Sequence, residues 1–175
     1  LTLTSRQVAA VDNFRRMLEE QSSEALTRRL RDRRFDGTVA RAAAGEIALT
    51  TEQIDKMVDR YRERYITYRA NTIAATEAVR IANESDHMFY MQAVADGEIQ
   101  AAALIRKWVT SKDEKVRPSH RALNNIVSPL GVPWISGDGN RLRFPGDPHA
   151  PARDTVNCRC WIATKVDESR NVLAA

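Results

Sequence analysis

All six prolines of this 175-residue chain lie beyond residue 117, and four of its seven glycines lie beyond residue 130. Helix interiors exclude both residues, Pro because it lacks a donor and clashes with the preceding turn, Gly because ordering it costs the most entropy. The distribution therefore predicts long helices in the first hundred residues and turns and short strands after them. Apolar residues at three- and four-residue steps, Val8, Val11, Phe14, Leu18, Ala25 and Leu26, predict one amphipathic helix from residue 4 to about 34, capped by Thr4 or Ser5. Asp36-Gly37 interrupts this pattern, and residues 38–44 predict a short helix ending at Gly45. Thr50 and Gln53 have capping-box spacing and start a longer helix that carries Ile54, Met57, Val58, Tyr61, Tyr65, Ile66 and Tyr68. From Arg69 to about Asp96 nothing forbids its continuation, although Asn71 and Asn83 are points where it can break.

Beyond Gly97 the texture changes. Ala101–Val109 reads as a strand or a helix-to-strand passage, and Ser119–Val127 as a short helix behind Pro118. Ser136–Asn140 is a turn cluster, Arg141–Phe144 alternates like a strand, and Val156–Val166 reads as a closing strand. The expected class is α+β: an N-terminal long-helix arm over 1–69, a small α+β module with long loops and a short sheet over 70–166, and a C-terminal tail over 167–175.

Composition narrows the function classes. Charged residues at 29% and apolar ones at 43% describe an ordinary folded chain. No run approaches about 18 apolar residues, so no membrane-spanning helix and no membrane partner are expected. The chain begins Leu1-Thr2-Leu3 without Met or a signal-like segment, as expected of a piece of a longer protein. The net charge is only +4, yet 22 of the 27 cations are Arg, the side chain suited to bidentate contacts. Arg28, Arg29, Arg31, Arg33 and Arg34 crowd into seven residues. They read either as a solvated helix end or as a contact for nucleic acid or an acidic partner.

Three groups of residues are candidates for chemistry. Cys158 and Cys160 sit two apart, so on a strand both thiols share a face; with His120 and a fourth ligand such as His149 or Asp113 they can surround zinc. A buried reduced pair without metal is the alternative, and no cofactor is required. Asp113, Glu114, His120, Asp147 and His149 can supply acids and bases, but no nucleophile elbow, phosphate loop or dinucleotide fingerprint organises them. Glu77, set among small apolar residues, reads as a half-buried carboxylate seeking Arg117, Arg121 or Arg159 and pinning its helix to the module.

Taken in order, Thr76-Glu77, Lys107-Trp108-Val109-Thr110, Asp113, Val116-Arg117-Pro118-Ser119-His120, Phe144-Pro145-Gly146-Asp147-Pro148 and Asn157-Cys158-Arg159-Cys160 resemble the phage Mu protein F-like head morphogenesis, or minor head, proteins. The resemblance covers about residues 70–165; Asn124-Asn125 departs from the Asp-Gly-like turn common in the family. It implies a non-enzymatic virion component of a tailed double-stranded DNA phage, a prophage or a gene transfer agent. Such proteins sit inside the head near the portal after assembling in the host cytoplasm. The implied partners are the portal protein, capsid or scaffold proteins, and packaged double-stranded DNA. Asp113, Arg117, His120, Asp147, Asn157, Cys158, Arg159 and Cys160 are expected to converge as one polar cluster, with or without zinc. The competing reading is a metal-dependent hydrolase built on Asp113, His120, Cys158 and Cys160. The apolar face from Val8 to Leu30 is expected to be covered by another chain or by the module.

Overall fold

Thr4 opens the first helix: its hydroxyl accepts from the Gln7 amide while the Gln7 side chain accepts from the Thr4 amide, a complete capping box. The computed structural model describes residues 2–171. Helix α1 (Ser5–Glu19) is shorter than its apolar period predicts. Gln21 turns left-handed at φ 51°, and the Ser22 amide donates back to the Met17 carbonyl at 2.8 Å. Ser22 and Asp32 then cap single tight turns at Ser23–Thr27 and Arg33–Phe35. Such short polar side chains satisfy nearby amides themselves and so compete with a continuing helix. The expected single helix to residue 34 is thus a helix followed by two turns. Asp36-Gly37, read as a break, instead opens α2 (Asp36–Ala43), and Gly45 ends it at φ 76°.

The Thr50–Gln53 capping box forms as expected and starts α3 (Thr51–Ala95), which runs 45 residues without a break at Asn71 or Asn83. The chain divides into two units between Asn71 and Thr72, so α3 contributes its first turns to one and the rest to the other. In the first unit Val11, Phe14, Met17 and Leu18 pack with Ala25 and Val39 and with Ile54, Met57, Val58 and Tyr61 of α3. Phe14 lies 4.2 Å from the Tyr61 ring centroid, and Leu18 is fully buried. Each such side chain contributes about 1.5–3 kcal/mol of transfer free energy. Val11, Phe14, Met17 and Leu18 of α1 are therefore covered within their own unit, whereas Val8 at the start of the expected face is 41% exposed.

In the second unit β1 (Leu104–Val109) is the central strand of an antiparallel sheet. A four-residue helix α4 (Pro118–Arg121) precedes β2 (Val127–Ser128), which pairs with β1 through Arg106 and Lys107. The turn cluster is the tip of a hairpin between β3 (Trp134–Ile135) and β4 (Arg141–Leu142). A single turn, α5 (Ala152–Thr155), leads to β5 (Trp161–Val166), whose register on β1 sets Trp108 opposite Ile162 and Val109 opposite Trp161. The core holds Trp108, Leu123, Trp134, Leu142, Phe144, Cys158, Cys160 and Ile162. The closing strand is shorter than the expected Val156–Val166: it starts at Trp161, after Asn157 has turned left-handed at φ 56°. Both cysteines therefore sit on a loop. The class is α+β, as expected.

Candidate functional site

Pro118 fixes the first turn of α4, and the turn delivers His120 to the interior at 1% exposure. From the loop ahead of β5 come Cys158 and Cys160, at 3% and 4% exposure. Both sulfurs lie 3.7 Å from His120 Nδ1. The other ring nitrogen, Nε2, lies 3.4 Å from Asp154 Oδ1. Trp108 of β1 stands edge-on to the imidazole with ring centroids 5.4 Å apart. Beside these groups is a cavity of about 10 Å³ lined by Ser111, Val116, Arg117, Asn157 and Arg159 among others. The hydrogen bond shared with Cys160, with that of His120 behind it, lowers the Cys158 thiol against the opposing effect of burial. The same sharing, reinforced by burial, pushes Cys160 far up.

Guanidinium groups brace the loops that carry the cluster. Arg117 donates to the carbonyls of Arg153 and Val156, the second at 2.7 Å. Arg121 donates to those of Val116 and Glu114. Arg159 grips Asp113 in a bidentate pair, both contacts at 2.6 Å, and the hydrogen bond from Arg159 lowers the Asp113 carboxyl. Asn157 donates its amide to the Thr76 hydroxyl on α3.

The expected convergence is thus divided. Trp108, Arg117, His120, Asn157, Cys158, Arg159 and Cys160 come together, with Asp113 joined through Arg159. Asp147 closes a separate corner, where its carboxylate accepts from the Arg143 amide and guanidinium and from the His149 amide. His149 is exposed and belongs to that corner, so neither it nor the Arg159-bound Asp113 stands as a fourth ligand beside the thiols. Pro145 and Gly146 are buried in the same corner, where Gly146 adopts φ 85° and a Cβ would meet Arg80 Cα at 3.1 Å. Glu77 pairs with Arg80 one turn along its own helix rather than with Arg117, Arg121 or Arg159. In the Arg-rich run, Arg31 is bidentate to Asp36 and Arg34 clasps Asp32. Arg28 donates to the Met17 sulfur, Arg29 lies over the Tyr68 ring, and Arg33 is exposed.

Three residues of consequence escaped the sequence reading. Asp154 carries no motif that marks it, and only its place beside His120 reveals it. Asn83 is a point where the sequence allows the helix to break. Its amide instead accepts from the Ile162 amide and donates toward the Cys160 carbonyl, tying α3 to the cysteine loop. Arg106, 1% exposed, stacks on Trp134 at 4.8 Å and reaches His87 Nδ1 and two carbonyls. Its position in the alternating burial of β1 was the one available signal, and a cation there reads as outward-facing.

Comparisons with known proteins agree with the motif order. A family model described as "Phage Mu protein F like protein" matches residues 17–163, so the pattern begins inside the helical unit and not at about residue 70. "Uncharacterized protein YqbB" of Bacillus subtilis (strain 168) is 29% identical over 102 residues, 57% of this chain and 31% of that protein. The chain thus spans less than a third of that relative's length. No solved structure matches.

Proposed function

This chain belongs to the Phage Mu protein F-like family, and from that premise we propose that it is a minor head protein of a tailed phage, a prophage or a gene transfer agent. In this reading it works during head morphogenesis, inside the head near the portal, and assembles with portal, capsid or scaffold proteins in the host cytoplasm. The observation that carries the proposal is the family match across both the helical unit and the α+β unit. Among the described residues no helix is long and apolar enough to cross a membrane.

The role is structural, not enzymatic. A cavity of about 10 Å³ beside the Cys and His groups admits roughly one water molecule. The alternative reading, a hydrolase using Asp113, His120, Cys158 and Cys160, needs room for a substrate and a free carboxylate, and Arg159 occupies Asp113. DNA contact is the narrower part of the proposal. Arg31 and Arg34 already serve Asp36 and Asp32, which leaves Arg28, Arg29 and Arg33 as the phosphate-facing candidates.

Quantitative mass spectrometry of purified particles tests the reading. A few copies per particle, alongside portal and major capsid protein, is the expected result; a protein found in the cytosol and missing from particles overturns it. Opening the same particles at rising salt tests the DNA contact, because phosphate contacts release counterions and weaken by roughly one power of salt concentration per contact. Release that ignores salt removes DNA from the partners.

A further inference from the structure

We propose that His120 Nδ1, Cys158 Sγ and Cys160 Sγ form a structural zinc site that ties α4 to the loop ahead of β5. The three ligand atoms lie within 4.8 Å of one another, all on buried side chains. A tetrahedral ion with ordinary Zn–N and Zn–S bonds sets N···S edges of about 3.6 Å; both N···S distances here are 3.7 Å. No other group of three or more His, Cys, Asp and Glu side chains among the described residues meets this ligand spacing.

The surroundings fit a metal better than a bare thiol pair. Asp154, itself 1% exposed, faces His120 Nε2. In the tautomer with the ring proton on Nε2, toward that carboxylate, the Nδ1 lone pair is directed at the two sulfurs, the carboxylate–histidine–metal arrangement that orients ligands in zinc sites. Nε2 is buried and makes no hydrogen bond as the site stands, with Asp154 Oδ1 3.4 Å away as the carboxylate that faces it. The Ser111 hydroxyl, also buried and without a partner, lines the adjoining cavity, whose volume suits a single water as fourth ligand. On binding, whatever protons the two sulfurs still carry pass to solvent, and His120 keeps its proton on Nε2. The two thiolates then neutralise the ion's charge. Helix α4 and the loop ahead of β5 thereby become one closed element.

The test uses the purified, reduced chain and cobalt(II) as the probe. One equivalent should give an intense thiolate-to-cobalt charge-transfer band with the strong visible absorption of tetrahedral geometry, and one equivalent of zinc should erase it. Cys158→Ser and Cys160→Ser should each weaken or remove the band. Asp154→Asn keeps all three ligands and should keep the band while lowering metal affinity about tenfold to a hundredfold. A folded wild-type chain that gives only the weak spectrum of hydrated cobalt overturns the site whatever the variants do. A sulfur band that survives in a Cys158→Ser, Cys160→Ser double variant overturns it as well. Neither result bears on the particle experiment, which depends on the assembly role alone.

Discussion

Asp147 and Asp154 are both hidden from water, at 2% and 1% exposure, and meet different partners: Asp147 faces Arg143, whereas Asp154 faces Asn140 and the His120 ring. Burial works to raise the Asp147 carboxyl, but the hydrogen bonds from the Arg143 guanidinium and amide and from the His149 amide outweigh it and hold the group well below its usual range. A carboxyl whose folded value is depressed stabilises the fold above its unfolded value of about 3.9, and that stability fades as pH falls toward the folded value. Asp147→Asn should therefore lower stability by about 2 kcal/mol at neutral pH. Its denaturation midpoint should converge on that of the wild type as pH drops below about 4; midpoints that stay parallel across that range contradict the assignment. His120, Cys158 and Cys160 were readable as a set because their chemistry is rare and their spacing short. Asp154 was not, because one aspartate among 23 acidic residues becomes special only when the fold puts it behind an imidazole.

Elements were legible where their ends carry side-chain chemistry. The cap at Thr4, the capping box at Thr50 and the left-handed Gly45 fall where the sequence puts them, since each is set by residues close in the chain. The reading failed where apolar period alone was the guide. Ala25, Leu26 and Leu30 keep a helical spacing because they line the same core as α1, but turns and not a helix present them. β5 was overextended for a related reason: Cys158 and Cys160 alternate like strand residues while belonging to a loop shaped by Asn157. The Phe144–Asp147 corner shows why a motif can be recognised before it is understood. Gly146 is required twice, by φ 85° and by the Arg80 backbone 3.1 Å from where a Cβ would sit. Gly146→Ala should cost about 1–3 kcal/mol, read as a lowered thermal midpoint. An unchanged midpoint would mean that α3 yields freely at Arg80.

At the scale of the whole molecule the two apolar cores share no residue. All three tryptophans, Trp108, Trp134 and Trp161, fall in the second unit, so indole fluorescence reports that unit alone. Leu18→Ala should destabilise the first unit by about 2–5 kcal/mol through the cavity it leaves. The loss should appear in the far-ultraviolet helix signal while the fluorescence midpoint stays in place; a fluorescence midpoint that moves equally would make the chain one cooperative body. The division into a helical part and a turn-rich part was visible in the placement of Pro and Gly. The packing of α1 was not, because a helical face does not say which surface will cover it.

Arg117 and Arg121 each hold two backbone carbonyls, and Arg106 adds two more beneath the sheet. In the second unit, strands of two residues leave many carbonyls without a ladder, and planar guanidinium groups with paired donors supply what the missing strands would have supplied. Lysine would preserve the charge and lose that geometry. At least three of the 22 arginines of this chain thus serve its irregular backbone, so the cation count overstates what the surface offers to an anionic partner.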